Sequence, residues 1–130
     1  MERVRFLTLN KKISTDELKL LEKNGFGLYS DSFFYDLENN LMLLPVVGKK
    51  RPEPSLVREF RNLGIELQAK DIRFSDHQMV VFKGHGRDFG LSNADIDSKI
   101  HDVLRDSPQL KEKKLLVELN SKDLALHFFL

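Results

Sequence analysis

Cysteine is absent from the chain. That excludes disulfides, thiolate zinc sites, iron–sulfur clusters and cysteine nucleophiles together, and it fits a reducing compartment. Long apolar runs are also missing. The longest, 41–47, is interrupted by Pro45, whereas about 20 residues are needed to cross a bilayer as a helix. The N-terminal Met1-Glu2-Arg3-Val4-Arg5-Phe6 carries charge where a secretory leader needs an apolar core. The expectation is a cytoplasmic protein without membrane contact. A dominant charge is the third absence: the net charge is +1, and the halves 1–65 and 66–130 carry +2 and −1. A dedicated nucleic-acid binder usually shows a basic domain or a one-sided cluster, so any basic patch here has to be assembled by folding.

What is present reads as one globular domain over 1–130. Hydrophobic residues make up 41% and charged residues 32% of the chain, enough apolar material for a single core without staples. Residues 3–9 read as a first strand. Ser14 and Glu17 then form a capping box, with Ile13 and Leu18 at staple spacing, and Asn24-Gly25 stops the helix. From 26 to 47 the pattern is β: a short strand at 26–29, then two strands around the turn Glu38-Asn39-Asn40. The second arm is apolar at every position, so both its faces should be covered. Pro45 cannot donate to a ladder, which predicts that its end of the strand lies at an edge or outside the sheet.

A second helix carries Leu56, Phe60 and Leu63 on one stripe before Gly64. Ile65, Leu67 and Ala69 alternate with polar residues, after which the apolar phase shifts to Ile72 and Phe74. A one-residue slip of this kind predicts a bulge or a break. A strand at 78–82 follows. A third helix, 93–106, has Ser92 and Asp95 as its cap pair and Ile96, Ile100, Val103 and Leu104 as its core stripe. A last hairpin turns at 120–123 and runs to the C-terminus.

The order is β-α-β-β-β-α-β-β-α-β-β. Short turns join many of the strands, so the fold class is α+β: a largely antiparallel, mixed sheet with about three helices packed mainly on one face. The central part of this order (helix, three strands, helix, two strands, helix) is similar to that of bacterial secretion chaperones. The resemblance implies a dimeric interaction protein.

Two basic loops are candidates for binding. Lys83-Gly84-His85-Gly86-Arg87-Asp88-Phe89-Gly90 joins a strand to a helix start, an order that can hold an anion on unpaired N–H groups and a positive dipole end. Its glycines are spaced G-x-G-x-x-x-G, one residue off the dinucleotide fingerprint, and no Walker motif is present. Lys49-Lys50-Arg51 is the second loop. Brought together, Lys49, Lys50, Arg51, Lys83, His85 and Arg87 would make a nucleic-acid or phosphate-binding patch with a strong salt dependence.

For catalysis the candidates are His85 and Asp88, as a small hydrolase or nuclease. No serine stands in G-x-S-x-G, and no histidine pair has metal-ligand spacing, so neither a metal nor a cofactor is expected. His127, among Leu126, Phe128 and Phe129, reads as a hydrogen-bonded, half-buried histidine. The stretches 41–47 and 124–130 are apolar enough to pair with another chain if either lies at a sheet edge. The leading expectation is therefore a small non-catalytic interaction or regulatory module, a homodimer through an apolar strand edge or the binder of a protein partner. Binding of nucleic acid or a phosphorylated ligand comes second, and hydrolysis third.

Overall fold

The computed structural model describes residues 3–85 and 93–130. Among these, three helices and eight strands follow the expected order: β1 Arg3–Leu9, α1 Thr15–Lys23, β2 Phe26–Leu28, β3 Phe33–Asp36, β4 Leu41–Gly48, α2 Pro54–Asn62, β5 Leu67–Arg73, β6 His77–Lys83, α3 Asn93–Asp106, β7 Lys114–Leu119 and β8 Asp123–Phe129. Every strand pairing is antiparallel. The strands form one sheet in the order β5-β1-β4-β3-β7-β8-β6, with β2 paired to β4 beside β3. The fold class is α+β. No described helix is long and apolar enough to cross a membrane.

Local chemistry accounts for the helix starts. The Ser14 hydroxyl accepts from the Glu17 amide, and the Glu17 carboxylate accepts from the Ser14 amide, so the capping box is complete. Pro54 opens α2, where its missing N–H costs nothing. The helices cover one face of the sheet. Leu7 and Leu9, Met42, Leu44 and Val46, and Leu67 pack against Leu21 of α1 and Leu56 and Phe60 of α2. Farther along the same face, Val117, Leu124, Leu126 and Phe128 pack against Ile96, Ile100, Val103 and Leu104 of α3.

None of the described helices lies over the opposite face, yet Phe6, Leu43, Phe34 and Leu116 are buried there. The sheet covers this face itself by curling. Ile72 and Phe74 from one end of the sheet join the same cluster as Phe129 from the other. Ile72 and Lys70 also share a cavity of about 260 Å³ with Lys114, Leu116 and Phe129. Strand twist and coiling of the normal hand produce such concavity in large antiparallel sheets. One buried charge lies on this face: Asp36 accepts from the Lys114 ammonium at 2.6 Å and from the backbone and side-chain nitrogens of Asn39. Burial works to raise the Asp36 pKa, but these donors and the lysine charge outweigh it and hold the carboxyl below its ordinary value.

Two sequence expectations are corrected. The phase slip near Asp71 is neither a bulge nor a break, because β5 pairs residue for residue with β1 from Leu67↔Leu9 to Arg73↔Arg3. What changes is the covered face. Leu67 and Ala69 point under the helices; beyond the helices' reach that face is open, and Asp71 pairs there with Arg5 at 3.3 Å. Ile72 and Phe74 meanwhile point into the concave side.

Pro45 is likewise inside a strand, opposite Phe6. Its carbonyl accepts from Tyr29, so its ring nitrogen faces the same flank. On that flank the pairing with β3 ends at Leu43 and the pairing with β2 begins at Val46. The missing donor falls in the gap between the two partners.

Candidate functional site

The described candidates of the two basic loops lie apart. Lys49, Lys50 and Arg51 follow β4 and are exposed; Lys49 pairs with Glu53 at 3.8 Å. Lys83 ends β6 opposite Asp123, whose carboxylate accepts from the Gly84 amide at 3.2 Å. Strands β3, β7 and β8 stand between β4 and β6, a spacing of about 19 Å along the sheet at the usual strand separation. His85 is exposed, its ring 6.2 Å from that of Phe82. Arg87 and Asp88 lie outside the described residues, as do the cap residue Ser92 and the remaining glycines of that loop. Among the described residues no group of three His, Asp or Glu side chains is placed to hold a metal ion.

The apolar stretches are also not where strand pairing with another chain would need them. The strand over 41–48 lies between β1 and β3, and the strand over 123–129 lies between β7 and β6. Both are interior. Among the described residues the two ends of the sheet are β5 and β6, and the three-residue β2, paired only to β4, leaves one further short edge. Along β5, Lys70, Asp71 and Arg73 place charges at three of the last four positions, a common protection against edge pairing. Between Gln78 and Phe82, β6 carries no charge, and its Met79 and Val81 are 53% and 39% exposed.

A polar cluster on the concave face has no motif in the sequence to announce it. The β7–β8 hairpin turns at Asn120, whose side-chain oxygen accepts from the amides of Lys122 and Asp123. That register sets Glu118 opposite Ala125 and His127 opposite Leu116, so Glu118 and His127 are diagonal neighbours on one face. His127 Nε2 donates to Glu118 Oε1 at 2.7 Å. From the start of β3, the Ser32 hydroxyl donates to Glu118 Oε2 at 2.5 Å. Ser32 and His127 are each 5% exposed. His77, from the edge strand, stacks on His127 with ring centroids 5.4 Å apart, and Phe74 meets His127 edge-on at 5.7 Å.

These neighbours set the ionisation. The hydrogen bond from His127 is the largest influence on Glu118. Burial opposes it, but the bond from Ser32, the charge of His127 when protonated and a bond from Asn120 add to it, and the carboxyl is held below its ordinary value. His77 is also shifted down from 6.5, by burial and by the neighbouring His127.

The cluster opens on a cavity of about 280 Å³ walled by Val4, Phe6, Phe34, Pro45 and Phe74, with Tyr29 and Ser30 at its rim. Ser32 and His127 each bond to a different oxygen of Glu118, with no Ser–His hydrogen bond of the kind a Ser-His-Asp triad uses. The cavity combines an aromatic wall with a few converging polar groups, a composition common in small-molecule sites. Compared with known proteins, the chain matches no family model, no curated protein and no solved structure, so the likeness to secretion chaperones rests on element order alone.

Proposed function

We propose that the chain is a non-catalytic interaction module that pairs with a second copy of itself through the free edge of β6. The observation that carries this reading is the contrast between the two ends of the sheet. The β5 edge is lined with charge, and the β6 edge is uncharged from Gln78 to Phe82 with two large apolar side chains in solvent. Natural edges that must stay single are blunted by charge, proline or a bulge, and β6 between Gln78 and Phe82 has none of these.

The strand is also complementary to itself. Antiparallel pairing centred on Val80 sets Met79 against Val81 twice and Gln78 against Phe82 twice, with no like charges opposed between them. Isologous pairing of this kind closes as a dimer instead of growing, and each apolar cross-strand pair adds to the main-chain bonds.

Sedimentation equilibrium at tens of micromolar tests the reading. The expected result is a reversible dimer that Val81→Lys weakens at least tenfold. A strict monomer at that concentration, or a dimer indifferent to Val81→Lys, refutes it.

A further inference from the structure

We infer that the cavity beside Ser32, Glu118 and His127 binds a small aromatic amine, held as its ammonium against the Glu118 carboxylate. The inference follows from counting protons at the cavity's polar end. The single proton of Ser32 is committed to Glu118 Oε2, and the Nε2 proton of His127 is committed to Oε1. What remains at that end is acceptor capacity, on the serine oxygen and on the carboxylate, which also takes a bond from Asn120; the hydroxyls of Tyr29 and Ser30 at the rim can donate or accept. His127 Nδ1 has no hydrogen-bond partner among the described residues but is buried, so it is not part of the surface offered to a ligand. Among the described residues no lysine or arginine lines the cavity, and a carboxylate does.

The walls favour the same chemistry. Phe6, Phe34 and Phe74 present aromatic rings in mutual contact at centroid distances of 5.1 to 6.1 Å, and the face of such a ring attracts a cation. The pocket lies at the backbone feature at Pro45: the pairing of β4 passes there from β3 to β2, and Tyr29, Ser30 and Ser32 of the link between those two strands line it together with the proline. A volume of about 280 Å³ is nearly twice that of a dry cavity of about 150 Å³ that accepts benzene. A phenyl ring with a two-carbon ammonium arm fits that size.

Three isosteres on the unmodified protein separate charge from shape: phenethylamine, 2-phenylethanol and phenylacetate, each titrated by heteronuclear NMR. The amine is expected to bind saturably with Kd at or below about 1 mM, within the range open to a ligand of about nine heavy atoms. Its shifts should centre on Ser32, Glu118 and His127. The alcohol should bind at least tenfold more weakly, and the acid not measurably. Glu118→Gln keeps the side-chain shape and should abolish the preference for the amine over the alcohol. Equal binding of amine and alcohol, any preference for the acid, or no saturable shift by the amine at 10 mM overturns the inference. Because the ligand series needs no variant, it decides the matter even if Glu118→Gln fails to fold. The outcome is also independent of whether the β6 edge pairs.

Discussion

Truncating Phe74 tests whether the sheet closes its own concave face. Phe74 lies in the turn between β5 and β6, and its ring approaches Phe6, Phe34, His77, His127 and Phe129 with centroids 5.4 to 6.1 Å away. A fully buried Phe→Ala change costs about 3–5 kcal/mol. Phe74 is only half-buried, which brings the transfer part to about 2 kcal/mol. Loss of favourable ring–ring geometry adds about 0.5–1 kcal/mol. The expected cost of Phe74→Ala is therefore about 2–3 kcal/mol. Unfolding entropy of about 2.1 cal/mol/K per residue, scaled to this chain length, converts that into a fall in Tm of about 7–11 °C. Urea denaturation followed by far-UV circular dichroism, with a parallel thermal scan, measures both. Leu63→Ala is the control: Leu63 is 51% exposed at the end of α2, and its loss should cost less than about 0.5 kcal/mol. If Phe74→Ala were as mild as Leu63→Ala, the β5–β6 turn would not be docked and the concave face would not be a core.

Further expectations concern charge, pH and backbone. Lys114→Met removes the ammonium that faces buried Asp36; because the lysine is partly exposed, the loss should lie near about 2 kcal/mol, below the range for fully buried broken pairs, as read from the urea midpoint. His77, Asp36 and Glu118 all have folded-state pKa values below their unfolded ones, so in each case the unfolded chain takes up protons first. Stability should fall on acidification, first as the pH drops below about 6.5 for His77 and again through the carboxylate range, and His77→Gln should flatten the upper phase. Stability that rises between pH 7 and 5 contradicts this. Gly48 has φ +107°, and a Cβ there would lie 2.2 Å from the Gly25 carbonyl oxygen. Gly48→Ala should therefore be far more damaging than Gly84→Ala, where φ is also positive but no described residue would lie within 4 Å of the new Cβ; equal midpoints for the two variants refute the β2–β4 packing.

Local signals carried the element order. The Ser14–Glu17 box, the hairpin turns and the apolar stripes of the helices are each written within a few residues and formed as expected, except that Leu63, read as part of the α2 stripe, falls at the C-cap and is exposed. What failed to show were properties that depend on partners distant in the chain. The slip between Ala69 and Ile72 looks like a defect only if one face is covered along the whole strand, whereas the curl of the sheet changes which face is covered partway along. Pro45 looks like a strand terminus because the hand-over from β3 to β2 cannot be seen from β4 alone. The edge strands depend on strand order, so 41–47 and 124–130 stand out for their apolarity while β6, more modestly apolar, occupies the edge. In the polar cluster, Glu118 and His127 could have been paired from the hairpin register around Asn120, since both then fall on one face. Ser32 and His77 come from segments 86 and 50 residues away from those partners, and no spacing rule connects them.

Because the chain has no cysteine of its own, a single introduced thiol reports directly on the β6 edge. In the symmetric register Val80 faces Val80 of the second copy. Val80→Cys at tens of micromolar under a mild oxidant should therefore give a disulfide-linked dimer, while Gln68→Cys on the charged β5 edge stays monomeric. Val80→Cys that remains monomeric, or cross-linking of both variants to the same extent, contradicts pairing through β6.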